Sequence, residues 1–234
     1  MLETLKELDQ SLFLFINGGH TPYWDTFMYL FTSKWVWIPL YVSILYVLIR
    51  NLNIRTAIFT AIAFALLITL ADQACSSVLR PIFERPRPSR DPAIADLVHI
   101  VNGKRGGRFG FSSCHAANTF ALASFMMLLF KDRALTWFFM LWAIITCYTR
   151  IYVGVHYPGD LLFGTLVGFL SGIIVYSLYR YCIPLKGIHS LLKYDITQIR
   201  TRLSGNWQHT GTIITIGALT ILCFFIAAIW YRVY

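Results

Sequence analysis

Hydrophobic positions divide the chain into long runs separated by short polar connections, at about residues 26–49, 54–75, 115–131, 134–153, 160–182 and 211–231. Each run approaches or exceeds the roughly 20 residues that a helix needs to cross a hydrocarbon core. The first is interrupted by Thr32, Ser33 and Lys34, whereas the third and fourth contain few polar residues. The pattern predicts an all-α integral membrane protein with about six transmembrane helices. Ahead of these runs, residues 3–16 place Leu5, Leu8, Leu12 and Phe15 on one helical face. That spacing predicts an amphipathic helix lying in the membrane interface rather than spanning it. The chain therefore reads as an interfacial helix (1–22), a bundle holding the chemistry (23–182), and a connection with a final transmembrane helix (183–234). The polar segment 183–210 predicts one surface helix and a turn.

Composition agrees with a membrane protein. Of 234 residues, 57% are hydrophobic and 13% charged, and mean hydropathy is +0.60. A soluble domain of this length carries more charge. The net charge of +9 comes from residues in the connections rather than from a basic domain or tail, which argues against nucleic acid as a partner. Five cysteines form no CxxC pair and no metal-ligand cluster. The N-terminus, MLETLKELDQ, has acids where a secretion signal needs a basic region. One set of connections holds Arg50, Arg55, Lys131, Arg133, Arg180, Lys186, Lys193, Arg200 and Arg202, and the positive-inside rule places it in the cytoplasm. The other connections, about 76–114 and 154–159, then face outward, although the first of them is basic too.

Three stretches on that outer side carry the chemistry. In Arg80-Pro-Ile-Phe-Glu-Arg85-Pro-Arg87-Pro88, the two outer arginines are seven residues apart, two turns of a persisting helix that Pro86 and Pro88 would end. Guanidinium forks suit phosphate oxygens, but a basic cluster touching headgroups fits this stretch equally well. In Gly110-Phe-Ser-Ser113-Cys114-His115, a serine opens a helix whose free N–H groups attract an anion. A plain cap with an interfacial histidine is the ordinary alternative. In Thr149-Arg150-Ile-Tyr-Val-Gly-Val-His156-Tyr-Pro158-Gly-Asp160, a carboxylate follows a histidine by four residues. It is placed to fix the imidazole tautomer and leave the other nitrogen a nucleophile or base. Alternatively the histidine packs under a loop. Taken together, three arginines, two histidines, a serine and an acid are parts that phosphoryl transfer requires.

These stretches resemble the signature of the type-2 phosphatidic-acid phosphatase superfamily, which shares its fold with vanadium-dependent haloperoxidases. The family pattern is Lys-x6-Arg-Pro, Pro-Ser-Gly-His and Ser-Arg-x5-His-x3-Asp, and the resemblance covers roughly residues 76–182. It implies a phosphatase acting on a lipid phosphate, with lipid A phosphate and undecaprenyl diphosphate the leading substrates, in a bacterial inner membrane with the site facing the periplasm. His156 would attack phosphorus, Asp160 would orient it, and His115 would protonate the leaving oxygen. Arg80, Arg87, Ser113, Cys114 (through its backbone N–H) and Arg150 would bind the phosphate, with no metal, no cofactor and no obligatory protein partner. The chain departs from the pattern at Arg80 for lysine, Ser112 for proline, Cys114 for glycine and Thr149 for serine. Of these, Ser112 is expected to loosen the turn, and Cys114 to be strained if its φ is positive. A non-catalytic lipid-phosphate binding or transport protein is the alternative function, disfavoured by the complete histidine and aspartate set. A haloperoxidase is a more distant one.

Overall fold

In a bilayer every backbone polar group must be satisfied within the chain, so the apolar runs fold as helices. The computed structural model of the protein describes residues 2–185, 188, 191 and 196–233. Its helices are α1 (Leu2–Asn17), α2 (Pro22–Phe31), α3 (Ile38–Asn51), α4 (Ile54–Phe83), α5 (Cys114–Phe130), α6 (Arg133–Tyr152), α7 (Pro158–Cys182), α8 (Ile196–Leu203) and α9 (Thr210–Val233). Among the described residues, α4, α6, α7 and α9 are each long and apolar enough to cross a membrane. The chain is thus an all-α integral membrane protein.

The first run breaks where its polar residues fall. α2 and α3 meet at 60° across Lys34–Trp37, and the pair counts as a fifth span if the two halves cross together. The bend is held from inside: Trp37 donates its indole N–H to Phe31 O at 2.9 Å, satisfying a carbonyl at the end of α2. Its ring packs edge-on against Phe31, Trp142 and Phe224. The third run becomes α5, which has only 17 residues and so spans about 25 Å. Its hydrophobicity has a different origin from lipid contact, because 12 of those 17 residues are buried, on every side of the helix. α5 is the axis of the bundle, with α4, α6 and α7 packed around it. The six apolar runs therefore become four long helices, one bent pair and one enclosed helix.

Close approach of α5 and α7 is made possible by Gly164, Gly168 and Gly172, four residues apart on one face of α7. A Cβ at these positions would collide with Ser113 O, Ala117 O and Ser124 Oγ of α5 respectively. Small residues at this spacing let two membrane helices touch backbone to backbone. Here the contact fixes the start of α5 against the start of α7, where two of the three motifs lie.

The two ends of the bundle differ. At one end, Asn51 exchanges hydrogen bonds with the Gln208 backbone, both at 2.8 Å, and Trp207 donates to Leu129 O at 3.1 Å. Arg50, Arg55, Lys131, Arg133, Arg180, Arg200 and Arg202 belong to this end, while Lys186 and Lys193 lie outside the described residues, as does much of the 183–210 connection around α8. At the other end α1 lies across the loops. Its buried Asn17 donates to the carbonyls of Tyr152 (2.8 Å), Ile151 (3.1 Å) and His99 (3.1 Å). Leu5, Leu8, Leu12 and Phe15 all point away from the protein, and Phe15 is 83% exposed.

Replacing Gly168 tests the α5–α7 contact. Gly168→Ala is expected to destabilise the protein by about 1–3 kcal/mol through overpacking, read as a lower midpoint of thermal unfolding in detergent. Gly168→Leu is expected to abolish monodisperse protein. Unchanged unfolding in both variants contradicts the packing described.

Candidate active site

Four segments converge at the α1 end: the end of α4 with the loop 84–113, the start of α5, the turn between α6 and α7, and α1 itself. Arg80 and Arg87 do not share a helix, contrary to the expectation from their spacing. α4 stops at Phe83, and Glu84 takes a left-handed conformation with φ of 41°. The stop precedes Pro86 because a residue before proline is disfavoured in the helical region, so Arg85 must leave the helix first. The loop then pairs briefly with its own far end. Pro86 bridges Phe109, Gly110 N donates to Arg85 O at 2.9 Å, and Arg87 N donates to Arg108 O at 3.3 Å. This pinch carries Arg87 to the histidine of the third motif. Gly110 sits in the pinch, where a Cβ would lie 3.1 Å from both Arg87 Cγ and Asp160 Oδ2.

His156 and Asp160 are 2% and 0% exposed. Asp160 is the third residue of α7, and its carboxylate accepts from Tyr157 N (3.1 Å) and faces His156 Nδ1 (3.3 Å). On the other side of the ring, Arg87 Nη1 lies 2.9 Å from His156 Nε2. A guanidinium only donates, so Nε2 must be the acceptor and Nδ1 must carry the proton that points at Asp160. The tautomer is thereby fixed with the Nε2 lone pair facing the arginines. Burial, together with Arg87, Arg150 and Arg80, holds the imidazole pKa well below its ordinary value, so the ring is neutral at pH 7. Burial and the neighbouring Arg80 also lower the Arg87 pKa to about 10, which still leaves the group charged.

Ser113 caps α5, its Oγ accepting from Ala116 N at 3.4 Å, and its own N–H donates to Asp160 O at 3.0 Å. His115 stands in the first turn, close enough to Arg150, His156 and Arg87 to feel their charge. Arg80 Nη2 donates to Cys114 Sγ (3.1 Å) and Ser112 O (3.4 Å). Cys114 is not among the residues with positive φ, so its side chain adds no backbone strain. Nor does Ser112 leave the turn loose: it is fully buried and its hydroxyl donates to Cys75 Sγ at 3.0 Å, tying the turn to α4. Arg150 donates to Thr32 Oγ1 at 2.7 Å.

All eight residues singled out from the sequence thus gather at one end of the bundle. The arginines share a deficiency that indicates what they hold. Among the described residues, Arg80, Arg87 and Arg150 make no ion pair, and the Nε–H of each is buried without an acceptor. Three cations whose Nε–H donors are buried and unused, beside a helix N-terminus, are suited to an anion with several oxygens.

Sequence reasoning quoted Arg85 without giving it a part. Arg85 Nη1 pairs with Asp160 Oδ1 (3.1 Å) and Nη2 with Asp9 Oδ2 of α1 (2.7 Å), and its guanidinium lies 3.9 Å from the centre of the Tyr157 ring. Asp9 also accepts from Gly159 N at 2.8 Å, and Phe13 packs edge-on against Tyr157. Nothing in the local pattern around Asp9 points to a partner 150 residues away. Removing Arg85 leaves a fully buried carboxylate without its cation, which costs about 3–5 kcal/mol. Arg85→Ala is therefore expected to lower the thermal unfolding midpoint markedly, and Arg85→Lys to restore part of the loss. A midpoint equal to wild type contradicts this bracing role.

Comparison with known proteins agrees with the geometry. The PAP2 superfamily matches residues 59–184. The chain is 52% identical over 177 residues to a lipid A 4'-phosphatase of Bacteroides thetaiotaomicron, covering 75% of this chain and 79% of that one. It is 37% identical to a lipid A 4'-phosphatase of Porphyromonas gingivalis, covering 77% and 76%. A shorter match, 30% identical over 95 residues, joins it to the undecaprenyl-diphosphatase BcrC of Bacillus subtilis, covering 41% of this chain and 46% of that one. Among solved structures, Aquifex aeolicus LpxE superimposes with a TM-score of 0.56 at 28% identity, covering 71% of this chain and 93% of that one. With its three motifs gathered at one end of the bundle, the chain belongs to the PAP2 superfamily and is an integral membrane phosphatase.

Proposed function

We propose that the protein removes phosphate from a membrane lipid phosphate through a phosphohistidine on His156, without a metal. The observation that carries this reading is the fixed tautomer of His156, with Nδ1–H on Asp160 and the Nε2 lone pair among three arginines. On binding, a phosphate oxygen replaces Nε2 as the acceptor of Arg87. Nε2 then attacks phosphorus in line, the bond to the leaving oxygen breaks, and His115 gives that oxygen a proton. In the second step His115 takes a proton from water as the water attacks phosphorus, and the P–N bond breaks. Arg80, Arg87, Arg150, Ser113 and the Cys114 N–H hold the phosphate oxygens as charge redistributes, the work a metal ion does in other phosphoryl-transfer sites.

A lipid substrate is supported by a cavity of about 780 Å³ that begins at Cys114 and His115 and continues between α3, α4, α5 and α6. Its deeper wall is apolar, with Leu45, Leu48, Phe64 and Leu122 among its residues. Lipid A phosphate is the favoured substrate, because the two relatives matched over three quarters of their length are lipid A 4'-phosphatases. Undecaprenyl diphosphate is the second reading, through the shorter match to BcrC. A non-catalytic binding or transport role leaves His115 and the His156–Asp160 pair without a purpose. The basic connections gathered at the far end of the bundle support a cytoplasmic position for that end. The site then faces the periplasm from the inner membrane, with the exposed stripe of α1 resting in the interface.

Purified protein in detergent is expected to release inorganic phosphate from lipid A at the same rate with and without a chelator. His156→Ala is expected to lower the rate by about a thousandfold or more, and His115→Ala by about a hundredfold. Full activity in His156→Ala, or loss of wild-type activity to the chelator, contradicts the mechanism.

A further inference from the structure

The mouth of the lipid cavity holds a polar pair that the reaction described above does not use. Asp72 lies in α4 and Asn118 in α5, three residues after His115 and so one turn deeper on that helix. Both line the cavity. Asn118 Nδ2 donates to Asp72 Oδ1 at 3.2 Å. A carboxylate cannot donate, so the orientation of the Asn118 amide is settled by its partner. Asn118 Oδ1 is then left buried with no hydrogen-bond partner. Ser76 reaches the second oxygen of Asp72 only at 3.5 Å, and among the described residues Asp72 makes no ion pair.

An unpaired acid within a membrane helix needs an explanation in function. A helix-to-helix clamp explains the Asn118 donor but not the orphaned acceptor beside it. What the pair offers the cavity is the carboxylate of Asp72, held by Asn118 and one turn from a site built of cations and donors.

In-line displacement decides which part of a substrate meets this pair. His156 approaches phosphorus from one side, so the leaving oxygen departs towards His115 and the cavity beyond it. The atoms attached to that oxygen reach Asp72 and Asn118. In a sugar phosphate those atoms carry hydroxyl or amide N–H groups, which can donate to Asp72. In a diphosphate the leaving group is itself a phosphate, and its negative charge faces a carboxylate in a region of low dielectric. We infer that Asp72 and Asn118 form a leaving-group subsite that selects phosphate monoesters whose leaving group is uncharged and bears hydroxyl or amide donors, against diphosphates. The inference rests on the phosphatase reading above and assigns to two residues the choice between its candidate substrates. Lys34, the cation among the residues lining the cavity, lies over the Trp35 ring, 5.2 Å from its centre.

The test compares three lipids with purified protein in detergent: lipid A as the sugar monoester, undecaprenyl diphosphate, and phosphatidic acid, a monoester without donors beside the phosphate. Asp72→Asn keeps the shape and removes the charge. It is expected to raise the kcat/KM ratio of diphosphate to lipid A by about tenfold or more. Asn118→Ala removes the amide that positions Asp72, and is expected to raise KM for lipid A by about threefold to tenfold more than KM for phosphatidic acid. If either variant slows all three lipids alike, the pair is a structural clamp and the subsite is refuted. The same holds if neither ratio moves. If the wild type releases phosphate from none of the three, the phosphatase reading itself fails, and this inference with it.

Discussion

Three guanidinium groups with buried, unused Nε–H donors and, among the described residues, no ion pair set the terms for the rest of the structure. Arg80, Arg87 and Arg150 are held at one bundle end, where burial and the neighbouring Arg80 lower the Arg87 pKa to about 10. Such an arrangement persists only if the surrounding backbone holds it in place. Several features supply that hold. The glycine face of α7 locks the start of α5 against it, the Pro86–Phe109 pinch steers Arg87 inward, and the Ser112–Cys75 contact ties the motif turn to α4. The unmet charge is what suits the site to phosphate in the function proposed above.

Among the described residues Asp160 is the only carboxylate at the centre of this cluster, and its charge is divided. One oxygen faces Arg85, and the other serves both Tyr157 N and His156 Nδ1. Arg85 is in turn shared with Asp9 of α1, so the carboxylate that orients His156 is connected to a helix whose outer face is bare and apolar. The same helix that can rest on lipid therefore braces the reacting imidazole. At the opposite wall of the site the polarity reverses. Asp72, held by Asn118, lines the cavity there, so the proposed substrate would meet cations at its phosphate and a carboxylate just beyond it.

Much of this was legible in the chain. The motif spacing singled out Arg80, Arg87, Arg150, both histidines and Asp160, although only His156 and Asp160 are partners within one turn and the arginines reach theirs across the fold. Ser113 as a cap, Pro158 opening α7 and the break at Thr32–Lys34 followed from equally local rules. What eluded the pattern is non-local or depends on environment. Residues 115–131 looked like any membrane span, since hydropathy does not distinguish lipid from protein as the neighbour of an apolar side chain. Arg80 and Arg87 looked like helix neighbours because two-turn spacing is blind to the left-handed stop at Glu84. The roles of Asp9 and Asp72 depend on partners brought together only by folding, whereas the four-residue spacing of Gly164, Gly168 and Gly172 carried a readable signal for the α5–α7 contact.

The central claim is that the phosphoryl group passes through His156, and trapping it is the most direct measurement. Protein mixed with lipid A carrying labelled phosphorus and denatured rapidly in alkali should retain label in a bond that alkali spares and acid releases, as a phosphoramidate does. The label should map to the peptide holding His156, accumulate in His115→Ala if water attack is slowed more than the first transfer, and be absent from His156→Ala. Phosphate release by wild type with no label on that peptide under any quench, or undiminished label in His156→Ala, contradicts the account.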